Sequence, residues 1–160
     1  MVSDTGQYER DWKKGLVTIR TPRTQAAWGF LGQVDRPLHL GEVELRIETP
    51  FAVVAVSSLT DEPIARSHRL LLTAVARAEN TGMVYDLFHT RKLAAGHGPI
   101  VIEPVCGQVA ISTSHTRLRV VGLDPFGRPS ADLPTTTDGG RLTFEIGASA
   151  KTIHYLIEER

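Results

Sequence analysis

Two neighbouring runs of the chain are apolar on both faces. One is Phe51 to Leu59 (FAVVAVSSL) and the other is Leu70 to Ala76 (LLLTAVA). The second opens after a basic turn with Arg66, His68 and Arg69. It ends in a polar cluster, Arg77, Glu79, Asn80 and Thr81, and a turn glycine, Gly82. A short run of this kind between turn signals reads as a strand buried in a sandwich core or as a short buried helix. The Val-rich neighbour favours strands. The joint Thr60-Asp61-Glu62-Pro63 then makes the pair neighbouring central strands.

Elsewhere the pattern is period two. Val43, Leu45 and Ile47 alternate with Glu44, Arg46 and Glu48, which marks a strand with one face in a core and one in water. Leu118 and Val120, then Leu142, Phe144 and Ile146, then Ile153, Tyr155 and Ile157 repeat the pattern. Tyr8 to Trp12 and Leu16 to Thr21 flank Lys13-Lys14-Gly15, a hairpin signal with a glycine free to take positive φ. Gly and Pro break the chain at short intervals, which suits many short strands and leaves little room for helices. Met83 to Leu93 reads as a strand with a loop or a helical turn, and Thr135 to Gly140 as a polar loop. The expectation is an all-β domain over residues 1–160, with about eleven strands in a two-sheet antiparallel sandwich, jelly-roll-like. A closed barrel is the alternative. Phe51, Phe144 and Tyr155 fall in core phase.

Composition narrows the function. Eighteen basic residues balance eighteen acidic ones, so no field favours nucleic acid or an anionic membrane as partner. No apolar run approaches the roughly 20 residues of a membrane span. The N-terminus lacks a basic-then-apolar signal pattern. Met1 runs directly into what reads as a first strand, which fits a piece of a longer parent and leaves a secreted parent open. The single cysteine, Cys106, reads as a small buried residue near a turn. The histidines lack metal-ligand spacing, and no calcium loop of alternating Asp and Asn is present. The expectation is no cofactor and no metal, with room only for a calcium held by scattered carbonyls and one acid.

Longer motifs carry a resemblance. They are SDTG (Ser3 to Gly6), KKGLVTIRTPRTQAAWGFLG (Lys13 to Gly32), PIARSHRLLLTAVARAENTGM (Pro63 to Met83), GPIVIEPVCGQVAI (Gly98 to Ile111), the turn from Leu118 to Arg128, and the closing LTFEIG. Together they resemble the β-sandwich module that follows a (β/α)-barrel catalytic domain in certain bacterial glycoside hydrolases. The resemblance implies a non-catalytic accessory module of a polysaccharide-degrading enzyme. Its partners would be a polysaccharide or oligosaccharide and the parent's catalytic domain, and its place would be outside the cell with such a parent. No catalytic residue carries over, because the acid/base and nucleophile carboxylates of such parents lie on the barrel. An alternative role is structural, packing on the barrel and stabilising it.

Sugar-binding modules stack the apolar face of a sugar ring on an aromatic side chain. Trp12, beside a hairpin turn among charges, and Tyr85, with Asp86 in a variable-looking loop, are candidate platforms. Trp28, between Ala27 and Gly29, reads as either core or platform. Arg77, Glu79 and Asn80 form a polar cluster at the end of a buried strand. They read as a structural ion pair or turn network, as sugar contacts, or as catalytic groups. Glycoside hydrolysis needs two carboxylates roughly 5–9.5 Å apart, and none of Glu62, Glu79, Asp86, Glu103 or Asp124 sits in a catalytic motif.

Overall fold

The computed structural model describes residues 1–159, which form strands throughout with two short 3-10 turns, Leu31–Gln33 and Ile64–Arg66. The first strands are β1 (Tyr8–Asp11), β2 (Leu16–Arg20), β3 (Thr24–Gly29), β4 (Leu38–His39), β5 (Val43–Ile47), β6 (Ala52–Ser58) and β7 (Arg69–Val75). Four short strands follow, β8 (Ala78–Thr81), β9 (Val84–Tyr85), β10 (Lys92–Ala94) and β11 (His97–Ile102). The chain closes with β12 (Gly107–Ser112), β13 (Leu118–Leu123), β14 (Pro129–Leu133), β15 (Thr135–Asp138), β16 (Arg141–Ile146) and β17 (His154–Glu159).

Eight strands make one antiparallel sheet, in the order β1, β2, β3, β6, β7, β17, β13, β14. Five make the other, β15, β16, β12, β5, β4. The two doubly apolar runs are β6 and β7, paired at the centre of the larger sheet. Their even-numbered residues, from Ala52 to Val56 and from Leu70 to Ala74, are buried and meet Val43, Val109, Ile111, Leu142 and Phe144 of the smaller sheet in one core. Burying each such aliphatic side chain favours folding by roughly 1.5–3 kcal/mol before entropy is counted. Gln25 is the polar tie between the layers. It is buried on β3, its Oε1 accepts the Val43 amide of β5 at 2.8 Å, and its Nε2 donates to Glu42.

The strands number seventeen among the described residues rather than eleven. The additional ones have little or no buried face, so they lack the alternation that marks a strand in sequence. β15 is an edge strand of threonines held to β16 by its backbone, where a polar loop was expected. β9 and β10 pair with each other in the segment read as a strand with a loop or a helical turn. Phe144 and Tyr155 are buried as expected, and burial pushes the Tyr155 phenol above its ordinary pKa. Phe51 is not buried: Ala52 points inward, so Phe51 shares the outward phase of Val53. Where a strand is apolar on both faces, alternation alone cannot set which set of side chains faces the core.

Beyond β7 the chain leaves the sandwich. β8 pairs only with β11, and β9 only with β10. From Arg77 to Pro104 no residue is buried. This segment is an arm rooted on the larger sheet, where the Glu103 amide donates to the Arg77 carbonyl at 2.8 Å.

Candidate functional site

The outward face of the larger sheet gathers aromatic side chains at the end where the arm begins. Cross-strand register explains why. Trp28 on β3 stands opposite Val17 of β2 and Val53 of β6, and Val53 stands opposite Val75 of β7. One step towards the sheet end, Phe30 lies beside Gly15 and against Phe51, and Phe51 and Arg77 line one cleft. Strands lie about 4.8 Å apart, so side chains in register on one face are neighbours. The Phe30 and Phe51 rings meet edge to face, with centroids 5.4 Å apart. The Phe30 amide donates to the Gly15 carbonyl at 3.2 Å. Gly15 has φ +57°, and a Cβ there would come within 2.6 Å of the Phe30 ring, so the glycine lets the ring lie over the hairpin.

The row ends in charge. The Arg77 Nε lies 3.6 Å from a Glu79 carboxylate oxygen and 3.7 Å from one of Glu103. Pro50, Phe51, Ala76, Arg77 and Glu103 line an open cleft of about 510 Å³. Phe30 is 45% exposed and Phe51 50% exposed, so each offers an edge or face to a ligand. A guanidinium donates in a planar fork, and carboxylates accept from hydroxyls. An exposed ring beside a guanidinium held by two carboxylates therefore fits a polyhydroxyl ligand with one apolar face.

The residues singled out in the sequence separate into groups. Arg77 lines the cleft with Phe51, and Glu79 pairs with Arg77 beside it. Trp28 lies on the same sheet face, half-buried, with the Tyr8 ring 6.4 Å away. Trp12 follows β1 in the hairpin that also holds Gly15, is 73% exposed, and has the Lys13 ammonium 5.8 Å from its ring. Asn80 donates from Nδ2 to the Ala95 carbonyl at 3.0 Å, a bond within the arm. Tyr85 and Asp86 lie farther along the arm. Tyr85 stacks on His89 at 5.3 Å. The Asp86 carboxylate accepts from the Thr90 hydroxyl and amide at 2.6 and 2.7 Å, and the hydroxyl bond first among these holds its pKa below the ordinary value.

Phe51 and Glu103 of the cleft, and Phe30 against the Phe51 ring, are residues that sequence reasoning did not place in a binding site. The register from Trp28 to Val53 was the signal that would have found the two phenylalanines, and it becomes readable only once β3 and β6 are known to pair. Among the described residues no cluster of three or more His, Cys, Asp or Glu side chains could hold a metal ion. Among the described residues no helix is long and apolar enough to cross a membrane. Compared with known proteins, the chain matches no family model, no curated protein and no solved structure.

Proposed function

We propose that the chain is a non-catalytic carbohydrate-binding module, an accessory to a polysaccharide-degrading glycoside hydrolase. The observation that carries the reading is the exposed Phe30–Phe51 pair opening onto Arg77 between Glu79 and Glu103. A sugar ring stacks on Phe51, and its hydroxyls exchange hydrogen bonds with the guanidinium and the carboxylates. Trp28 and Trp12 extend the aromatic surface for further sugar units. The resemblance of Pro63 to Met83 and Gly98 to Ile111 to the jelly-roll-like modules of such hydrolases supports the same reading, and the parent would act outside the cell. Tethering a catalytic domain to its polymer raises the local substrate concentration without new chemistry.

The test is affinity electrophoresis of the chain against soluble xylans, mannans, mixed-linkage and β-1,3-glucans, and galactans. Retardation by one class is expected. Phe51→Ala and Arg77→Ala should each weaken it about tenfold or more, in line with the 1–3 kcal/mol cost of losing a stacking or charge-assisted contact. Trp12→Ala should weaken it less. A folded chain retarded by no class, or retardation indifferent to Phe51→Ala and Arg77→Ala, would sink the reading.

A further inference from the structure

The charges at the Phe51 cleft do not balance. Pro50, Phe51 and Ala76 bring no charged side chain, so Arg77 and Glu103 are the charged groups of the lining, and Glu79 pairs with the same guanidinium beside it. One guanidinium therefore faces two carboxylates, and the cluster carries one negative charge in excess. The basic residues of the neighbouring hairpin have other partners. Lys14 lies 3.8 Å from an Asp11 carboxylate oxygen, and Lys13 sits over the Trp12 ring.

The contact geometry says what the cluster still offers. Both carboxylates approach the same Arg77 atom, Nε, at 3.6 and 3.7 Å. Both distances exceed that of a hydrogen bond, so the guanidinium keeps its terminal donors and the carboxylates keep acceptor sites. A hydroxyl both donates and accepts, whereas a carboxylate only accepts. Neighbouring hydroxyls of a sugar ring on Phe51 can therefore accept from Arg77 and donate to Glu79 or Glu103. A sugar carboxylate would instead bring a third anion to a single guanidinium, with no proton to give to the other two. Like charges set side by side suppress the wrong partner.

We infer that the cleft discriminates by charge: it takes a glycan free of acidic groups and rejects uronic acids. The inference rests on the sugar-binding reading of the same cleft and narrows its substrate class. The excess charge comes from side chains that are all partly exposed, so added salt screens it.

Calorimetric titration of the full chain tests it. The ligands are oligosaccharides cut from the polymer that retards the chain, and the same oligosaccharides oxidised at C6 to uronates (for xylan, those bearing glucuronate branches). At low salt the neutral form should bind at least about tenfold more tightly than the uronate. At about 1 M salt, where the Debye length is about 3 Å, the gap should narrow. Glu79→Gln with Glu103→Gln leaves Arg77 as an uncompensated cation, and should move the ratio of the two affinities at least about tenfold in favour of the uronate. Uronate bound as tightly as the neutral form by the parent chain would overturn the inference and leave the sugar reading standing. A preference that neither salt nor the double variant moves would show that shape selects rather than charge, and would overturn it equally. A folded chain that binds neither form would take down the sugar reading, and this inference with it.

Discussion

The sandwich and the arm are built from the same residue types and the same backbone pairing, yet they place apolar side chains in opposite surroundings. In the sandwich, every second residue of β5, β6, β7, β16 and β17 meets a partner from the facing sheet. In the arm, β8 and β11 form one layer with nothing across from it, and Ile100, Val101 and Ile102 all face outward. Stability comes from apolar area removed from water, so it belongs almost wholly to the sandwich. The arm contributes little to folding and leaves its apolar residues exposed to water. The aromatic cleft lies at the junction, where the doubly apolar strands leave one face uncovered.

The widest gap between the two regions should appear on truncation. Leu72 is fully buried in the centre of the larger sheet. Leu72→Ala should cost about 2–5 kcal/mol, the transfer term plus the cavity left behind. Ile100→Ala should stay within about 0.5 kcal/mol, the usual range for a surface position. Urea denaturation of both variants measures the pair. Equal losses would mean that the arm belongs to the cooperative unit and that the contrast is false.

A polar pair sharpens the same contrast at smaller scale. Gln25 Oε1 accepts the buried Val43 amide across the sandwich, and Asn80 Nδ2 donates to Ala95 within the arm. Gln25→Leu keeps the bulk but leaves the Val43 amide without its acceptor, at a cost of about 1–3 kcal/mol. Asn80→Ala leaves groups that water reaches, so the denaturation midpoint should not move. The check is the midpoint at unchanged slope, since a changed slope would report a different unfolded or native state. A Gln25→Leu protein as stable as the parent would show that the tie between sheets carries no net energy.

The same division governs what the sequence discloses. β5, β16 and β17 were legible because one face is buried and the alternation of Val43, Leu45 and Ile47 or Leu142, Phe144 and Ile146 records it. β6 and β7 were legible as central strands for the opposite reason, having no polar face. That uniformity hid the outward phase of Phe51. β15 was harder to read, because backbone pairing at an edge leaves no hydrophobic signature in residues such as Thr135, Thr136 and Thr137. At the cleft, Arg77 and its ion-pair neighbour Glu79 stood out as charges ending an apolar run. Phe30 joins them only through a β3–β6 register, and pairing between non-adjacent segments is set by the whole fold, not by local pattern.

The smallest effect distinguishes local order from global stability. Asp86 holds the turn after β9 through the Thr90 hydroxyl and amide. Its pKa is held below the ordinary 3.8, chiefly by the hydroxyl bond. A lowered pKa in the folded state means that the carboxylate form favours the turn. That contribution is present above pH 3.8 and is lost as the pH falls through the depressed value. Because the carboxyl is exposed, the loss should be confined to the turn. The Thr90 amide chemical shift should titrate with a midpoint below 3.8, and Asp86→Asn should abolish the titration, while core amides such as those of Leu72 and Val109 keep their positions. A midpoint at or above the ordinary value would mean that the bond to Thr90 does not hold the turn in solution. Core amides moving together with Thr90 would mean that acid acts on the sandwich itself, and that the arm is not an independent layer.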